Sequence, residues 1–257
     1  MVKGLYTAYS GLINEQNRMD VLTNNLANSA TNGYKKEGAT SQAFNDVLAY
    51  KIKDTSESPN LARRIGNMNL GVKVGENYTD YSQGAFKVTD NTFDIALSGN
   101  GFFNIQFTNK AGETSTKYTR DGSFTLNKEG YLVTKDGDYV MGTNGRIKLD
   151  PLKSTSIDSL GNIAQDGRTV ARIRVTDFAD YNYLEHYGEN YYQPVEGATP
   201  KAADALVYSG YLETSNVQVV QEMVEMISVS RAYESNQKMI QTFDSTLEIA
   251  ANQLGRV

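Results

Sequence analysis

Residues 216–254 read NVQVVQEMVEMISVSRAYESNQKMIQTFDSTLEIAANQL. Val219, Met226, Tyr233, Ile240, Leu247 and Leu254 recur every seven residues without a break, and Val229, Phe243 and Ala250 form a second line three positions on. That is the spacing of a helical seam of the coiled-coil kind. No Pro or Gly interrupts the chain between Gly210 and Leu254, and Gly255 stands where a C-terminal stop belongs. Ser215-Asn216-Val217-Gln218 fits a capping box, with the Ser oxygen accepting from a free backbone N–H and Gln218 reaching back. The pattern predicts a helix over 216–254, about 58 Å long at 1.5 Å per residue. A compact domain of this chain length does not need so long an element.

The other end matches it in kind. Leu5, Leu12, Met19 and Leu26 occupy one heptad position, flanked by Ala8 and Leu22, with Glu15 the polar exception. A helix over 5–30 is expected, about 39 Å long, with a stop at Thr31-Asn32-Gly33. The two helices can pair within one chain, or with each other and with neighbouring subunits as well. Apolar residues off the main seam favour the second arrangement: Ile13 and Val21 at the front, Val220, Val224 and Ile227 at the back. One partner helix cannot cover all those faces.

Between the helices the period changes. Asn100-Gly101, Asp121-Gly122, Glu129-Gly130, Asp136-Gly137 and Asn144-Gly145 supply turns. They bracket Ser123-Phe124-Thr125-Leu126, Tyr131-Leu132-Val133-Thr134 and Tyr139-Val140-Met141, which predicts an antiparallel meander. Arg172-Ile173-Arg174-Val175 alternates as a half-buried strand does. In residues 37–75, Phe44, Val47 and Leu48 predict a short helix, and polar Lys51 to Asn60 a loop. The expected fold is α+β. Long N- and C-terminal helices pair as a coiled-coil-like layer beside a central antiparallel all-β domain. The segments are 1–36 (helical), 37–75 (junction), 76–208 (β domain) and 209–257 (helical).

Composition narrows the function classes. The chain has 257 residues, a formal net charge of -5, no Cys, no Trp and one His. The acidic balance gives no general attraction to nucleic acid or anionic membrane. There is no apolar run long enough to span a bilayer and no signal-peptide pattern at Met1-Val2-Lys3-Gly4-Leu5, so by these rules alone the chain reads as cytoplasmic. Without Cys there are no disulfides, thiol catalysis or Cys-ligated metal. His186 cannot build a His cluster, has no nucleophile-elbow pattern near it, and reads as a surface or packing residue. Gly99-Asn100-Gly101-Phe102-Phe103 lacks the residues of a phosphate loop and reads as a hairpin turn. Lys135-Asp136-Gly137-Asp138 lacks calcium-loop spacing and reads as a turn. The Tyr-rich run Tyr181, Tyr183, Tyr187, Tyr191 and Tyr192 suits either a contact surface or strand packing. No catalytic residue, cofactor or metal is expected.

Three stretches carry a family resemblance. Asn24-Asn25-Leu26-Ala27-Asn28-Ser29-Ala30-Thr31-Asn32-Gly33-Tyr34-Lys35 resembles the N-terminal signature of bacterial flagellar rod and hook proteins. Gly210-Tyr211-Leu212-Glu213-Thr214-Ser215-Asn216-Val217, with Glu222-Met223-Val224 and Ser230-Arg231-Ala232-Tyr233-Glu234 after it, resembles the family's other signature. Phe93 to Phe103 and Tyr118-Thr119-Arg120-Asp121-Gly122-Ser123-Phe124 are similar to the central domain of the rod members. Gly188-Glu189-Asn190-Tyr191 and Gly210 to Asn216 resemble distal rod subunits, while the opening Met1 to Ala8 is also at home in proximal ones.

The resemblance implies a structural subunit of the flagellar basal-body rod. Such subunits are exported by the flagellum's own type III apparatus without a cleaved signal peptide. They assemble axially with copies of themselves and with other rod and hook subunits into a hollow shaft that carries torque, the helices forming its inner layer. On that reading Leu5, Leu12, Met19, Leu26, Val219, Met226, Tyr233, Ile240, Leu247 and Leu254 form the assembly interface. The Asn24-Asn25 to Gly33-Tyr34 turn fixes the helix end by side-chain to backbone bonds. A secreted β-domain binder or adhesin with helical oligomerisation arms is the alternative, and an enzyme a third possibility.

Overall fold

A computed structural model describes residues 2–50, 64–110, 112–188 and 190–254. The chain divides into two compact units. One takes residues up to 26, 37–79 and those from 218 onward; the other takes 27–36 and 80–217.

The first unit holds both long helices, α1 (Val2–Ala27) and α2 (Val219–Ile249), the latter followed by a π-helical turn, Ala250–Leu254. Neither helix contains Pro, and each is long enough to repay the cost of its first turn. α2 begins later than its sequence pattern predicts. Gln218 stands at its N-cap and makes no side-chain capping bond, so the expected capping box is absent. The reason is competition for the polar side chains. Ser215 Oγ accepts from the Val217 N–H at 3.2 Å, and Asn216 Oδ1 accepts from the Lys36 N–H at 2.7 Å. α1 ends at Ala27, earlier than expected, where the Thr31 N–H turns back to the Asn28 carbonyl at 3.1 Å.

The same unit carries two short antiparallel ladders. Glu37–Ala43 pairs with Val72–Thr79, and Val47–Tyr50 pairs with Arg64–Met68. The short helix expected around Phe44, Val47 and Leu48 is therefore absent: Val47 and Leu48 lie in a strand and Phe44 in the connection before it. So short a segment cannot nucleate a helix alone, and the cross-strand ladder supplies its backbone hydrogen bonds. The loop expected over Lys51 to Asn60 lies outside the described residues.

The second unit is β-rich, and its paired strands among the described residues all run antiparallel. Its main sheet has ten strands. Phe102–Thr108 lies between Thr114–Thr119 and Tyr139–Gly142, and the sheet continues through Leu132–Val133 to Thr125–Leu126. This is the meander expected from the Gly turns. The Gly99-Asn100-Gly101 turn is not a hairpin, however. Ile95–Gly99 pairs with Ala205–Ser209, so the turn is a corner at which the chain changes sheets. Residues 172–175 likewise alternate in burial but do not form one strand. One strand ends at Arg172 and another starts at Val175, with Ile173 bridging Gly142 between them.

The core of this unit is enclosed. Ile95, Leu97, Phe103, Ile105, Leu132, Val140 and Ile163 have no exposed surface. A second cluster joins Phe102, Phe178, Leu184 and Tyr192, with Tyr81, Tyr118 and Tyr181 against it. His186 packs its ring edge-on to Tyr34 and Tyr192, at centroid distances of 6.4 and 5.2 Å. Part of the Tyr-rich run thus serves packing: Tyr192 is buried, and the Tyr181 hydroxyl donates to Asp177 at 2.6 Å. Tyr183 and Tyr187 stay exposed.

Candidate assembly site

The helices of the first unit meet side by side in antiparallel sense. Gly4 lies against the Phe243 ring and Gly11 against the Asn236 amide, and a Cβ at either glycine would stand 2.8 or 3.0 Å from those atoms. Further along, Arg18 bonds Glu225 at 3.0 Å and Glu15 at 3.2 Å. At the far end the Asn25 amide is fully buried. Its Nδ2 donates to the Glu37 carbonyl at 2.7 Å and to Glu222 Oε2 at 3.2 Å, while its Oδ1 accepts from the Glu37 N–H at 2.9 Å. Glu222, also fully buried, sits in the first turn of α2, where the helix dipole favours a carboxylate. Asn25 therefore ties the end of α1 to the start of a strand and to α2.

Of the residues expected at the interface, Leu5, Leu12, Met19 and Leu26 are half-buried on α1, as are Met226, Tyr233 and Ile240 on α2. Val219 and Leu247 are 40% and 38% exposed, and Leu254 falls in the π-helical turn. Among the described residues, the buried apolar positions in the helices are instead Ala8, Val21, Leu22 and Val229. On the opposite side of α2, Val220, Met223, Val224 and Ile227 are exposed.

The β unit holds a buried ionic cluster. Lys35 Nζ donates to Glu213 Oε1 at 2.5 Å and to the Ser82 carbonyl at 2.8 Å. Arg120 donates to Glu213 Oε2 at 3.2 Å and to the Gly99 carbonyl at 2.7 Å. The Gly84 N–H adds a bond to Glu213 Oε1 at 2.9 Å. All three side chains are nearly inaccessible to solvent. Burial holds the Lys35 ammonium below its usual range, opposed by the adjacent Glu213 charge. Around the cluster the backbone closes in. Gly33 has φ +70° and donates its N–H to the Glu213 carbonyl at 2.8 Å, and a Cβ there would stand 2.4 Å from the Asp121 nitrogen. Asn216 Nδ2 donates to the Asp80 carbonyl at 2.8 Å.

These groups bond one another and the backbone. Among the described residues, no three His, Cys, Asp or Glu stand together so as to hold a metal. In a polar hollow of about 300 Å³ beside Asp121 and Asp136, the Tyr191 hydroxyl donates to Asp138 at 3.0 Å. Burial and the neighbouring carboxylates push that phenol well above its usual range, so it serves as a hydrogen-bond donor.

Comparison with known proteins decides the family. Residues 5–35 match the family described as "Flagella basal body rod protein", residues 96–167 the "Flagellar hook protein FlgE/F/G D1 domain", and residues 208–254 the "Flagellar basal body rod FlgEFG protein C-terminal". Flagellar basal-body rod protein FlgG of Bacillus subtilis is 35% identical, with 98% of this chain and 99% of the relative covered. FlgG of Buchnera aphidicola from Schizaphis graminum is 33% identical over 96% and 98%, and the Caulobacter vibrioides rod protein FlgF is 34% identical over the whole of both chains. The chain belongs to the flagellar basal-body rod protein family.

As a rod family member it is a structural subunit of the basal body that interacts with other rod and hook subunits. The rod signatures sort onto the geometry above. From the N-terminal signature, Asn25 supplies the helix tie, Gly33 and Tyr34 are buried, and Asn28 accepts from the Thr31 hydroxyl at 3.2 Å. Asn24 and Ala27 have exposed surface. From the C-terminal signature, Gly210 accepts from the Thr89 N–H at 2.9 Å, Tyr211 leans on Tyr208, and Ser215 and Asn216 hold the approach to α2. Arg231 and Ala232 are exposed and Tyr233 is half-buried. The three signatures meet at Lys35, Arg120 and Glu213. The motifs contain these three residues, but nothing local shows that they pair, because a buried charge is held by a partner distant in sequence.

Proposed function

We propose that this rod subunit polymerises through its two terminal helices, which form a coiled-coil-like layer with the helices of neighbouring subunits in a hollow shaft that passes torque from motor to hook. The observation that carries the reading is the unfinished burial of the helical unit. Val220, Met223, Val224 and Ile227 on α2 and Tyr6, Tyr9 and Ile13 on α1 remain exposed in the single chain. Exposed apolar patches of this kind mark contact surfaces, and their burial contributes about 25 cal/mol per Å². An isolated amphipathic helix gains little order without that burial, so assembly completes the folding of the ends. A subunit that finishes folding only at its destination also suits passage through the flagellum's own type III export apparatus. On this reading the protein acts without catalysis or cofactor.

Electron microscopy of basal bodies from an in-frame deletion strain, beside a complemented control, tests the proposal. Absent or truncated rods with no hook are expected. Intact rods and hooks would overturn it.

A further inference from the structure

Two surfaces of the helical unit are apolar, exposed and unlike in shape. One is a groove of about 440 Å³ lined by Tyr6, Tyr9 and Ile13 of α1 and by Phe44, Leu70 and Val74. Tyr6 and Tyr9 are 63% and 54% exposed there. The other is a ridge on α2. Val220, Met223, Val224 and Ile227 follow one another at helical spacing and are between 50% and 77% exposed. A helix that lays such a ridge into an apolar groove is a recurrent way of joining two chains.

We propose that the groove of one subunit receives the Val220–Ile227 ridge of the next copy of this chain. This rests on the reading of the protein as a polymerising subunit and specifies which surfaces meet. Area supports a second copy as the occupant. The four ridge side chains are at least half exposed and the six groove side chains more than a third, so with about 150–250 Å² for each aromatic and somewhat less for each aliphatic side chain the two patches together approach the ~1,000 Å² of a specific contact. Geometry supports it as well. Groove and ridge are different patches of one subunit, so a single groove-to-ridge contact between two copies is head-to-tail and leaves a free groove and a free ridge. Where the rotation between copies does not close, such a contact propagates as an open filament, whereas reciprocal contact of both patches in one pair stops at a dimer.

The absence of Cys from the chain makes the contact directly testable. Two full-length copies with tags of different size, one carrying Leu70→Cys and the other Val224→Cys, are expressed together in the deletion strain, and isolated basal bodies are oxidised. A disulfide dimer bearing both tags is expected, with a covalent ladder from a copy carrying both substitutions and monomer from either substitution alone. A second pair, Tyr9→Cys with Ile227→Cys, repeats the test at independent positions. A charge swap completes it: Leu70→Asp and Val224→Lys should each cut incorporation at least tenfold, and together restore it. Rods that form while the tagged copies stay monomeric, or pair 70 to 70 or 224 to 224, would overturn the inference and leave the rod reading standing. Absence of the unsubstituted tagged protein from basal bodies would overturn both.

Discussion

The β unit and the helical unit bury their apolar residues to very different degrees. In the first, Ile95, Leu97, Phe103, Ile105 and Leu132 are fully enclosed, and even its charges, Lys35, Arg120 and Glu213, are paired out of solvent. In the second, the buried apolar side chains among the described residues are Ala8, Val21, Leu22 and Val229, accompanied by the polar Asn14, Asn25 and Glu222. The β unit has the enclosed core that supports a fold by itself. The helical unit has one partly covered seam and further apolar faces. The first encloses its apolar residues, and the second leaves many of them exposed.

The strongest way to break this contrast is to charge the seam. Met226→Asp with Leu247→Asp should abolish incorporation into rods while shifting the melting of the β unit by no more than about 0.5 kcal/mol. Normal incorporation would show that the seam plays no part in assembly. Next comes the ionic cluster. Glu213→Ala leaves Lys35 and Arg120 buried without their counter-charge and should destabilise the β unit by about 3–5 kcal/mol. Calorimetry should show this as a fall in Tm of roughly 10 °C. A fall of a degree or two would mean that water reaches the cluster.

Gly33→Ala forces a Cβ onto a left-handed residue that already touches the Asp121 backbone, and should lower stability by about 2–3 kcal/mol in the same assay. Asp177 sharpens the contrast at low pH. Burial raises its pKa, but bonds from Tyr181, Lys201 and the Phe178 N–H outweigh this and hold the carboxyl below its usual value of 3.8. Between the folded value and 3.8 the unfolded chain binds the extra proton. The stabilisation is therefore complete above 3.8 and is lost as pH falls through the folded value. Asp177→Asn should reduce stability by about 1–3 kcal/mol at neutral pH and flatten the acid limb of a Tm–pH profile. A limb of unchanged slope would assign the acid sensitivity to other carboxylates. The smallest effect belongs to the helices. Arg18→Ala removes a partly exposed ion pair and should change the stability of the free subunit by less than about 1 kcal/mol, as read by urea denaturation.

Much of the architecture was legible from local pattern. The seven-residue recurrence through Met226, Tyr233 and Ile240 marks a long helix. The Asp-Gly and Glu-Gly turns around Leu126 and Leu132 give the meander, because both depend on neighbours in sequence. Boundaries were less legible. Ser215 was free to cap α2 in a local reading, but its oxygen accepts from the Val217 N–H two residues on, while its neighbour Asn216 is bound to the distant Lys36 backbone. Val47 and Leu48 pair with Met68 and Asn67, a match invisible to any short window.

The sequence alone determined the helical ends, the β-rich middle and the family, because periodicity, turn chemistry and signature residues are local. Only the tertiary structure decided that Lys35, Arg120 and Glu213, 85 residues apart at their nearest, form one buried cluster. It alone decided, too, which side of α2 is covered and which is exposed. The reason is physical: burial and charge pairing depend on which distant segments fold against each other, and no local pattern carries that distance.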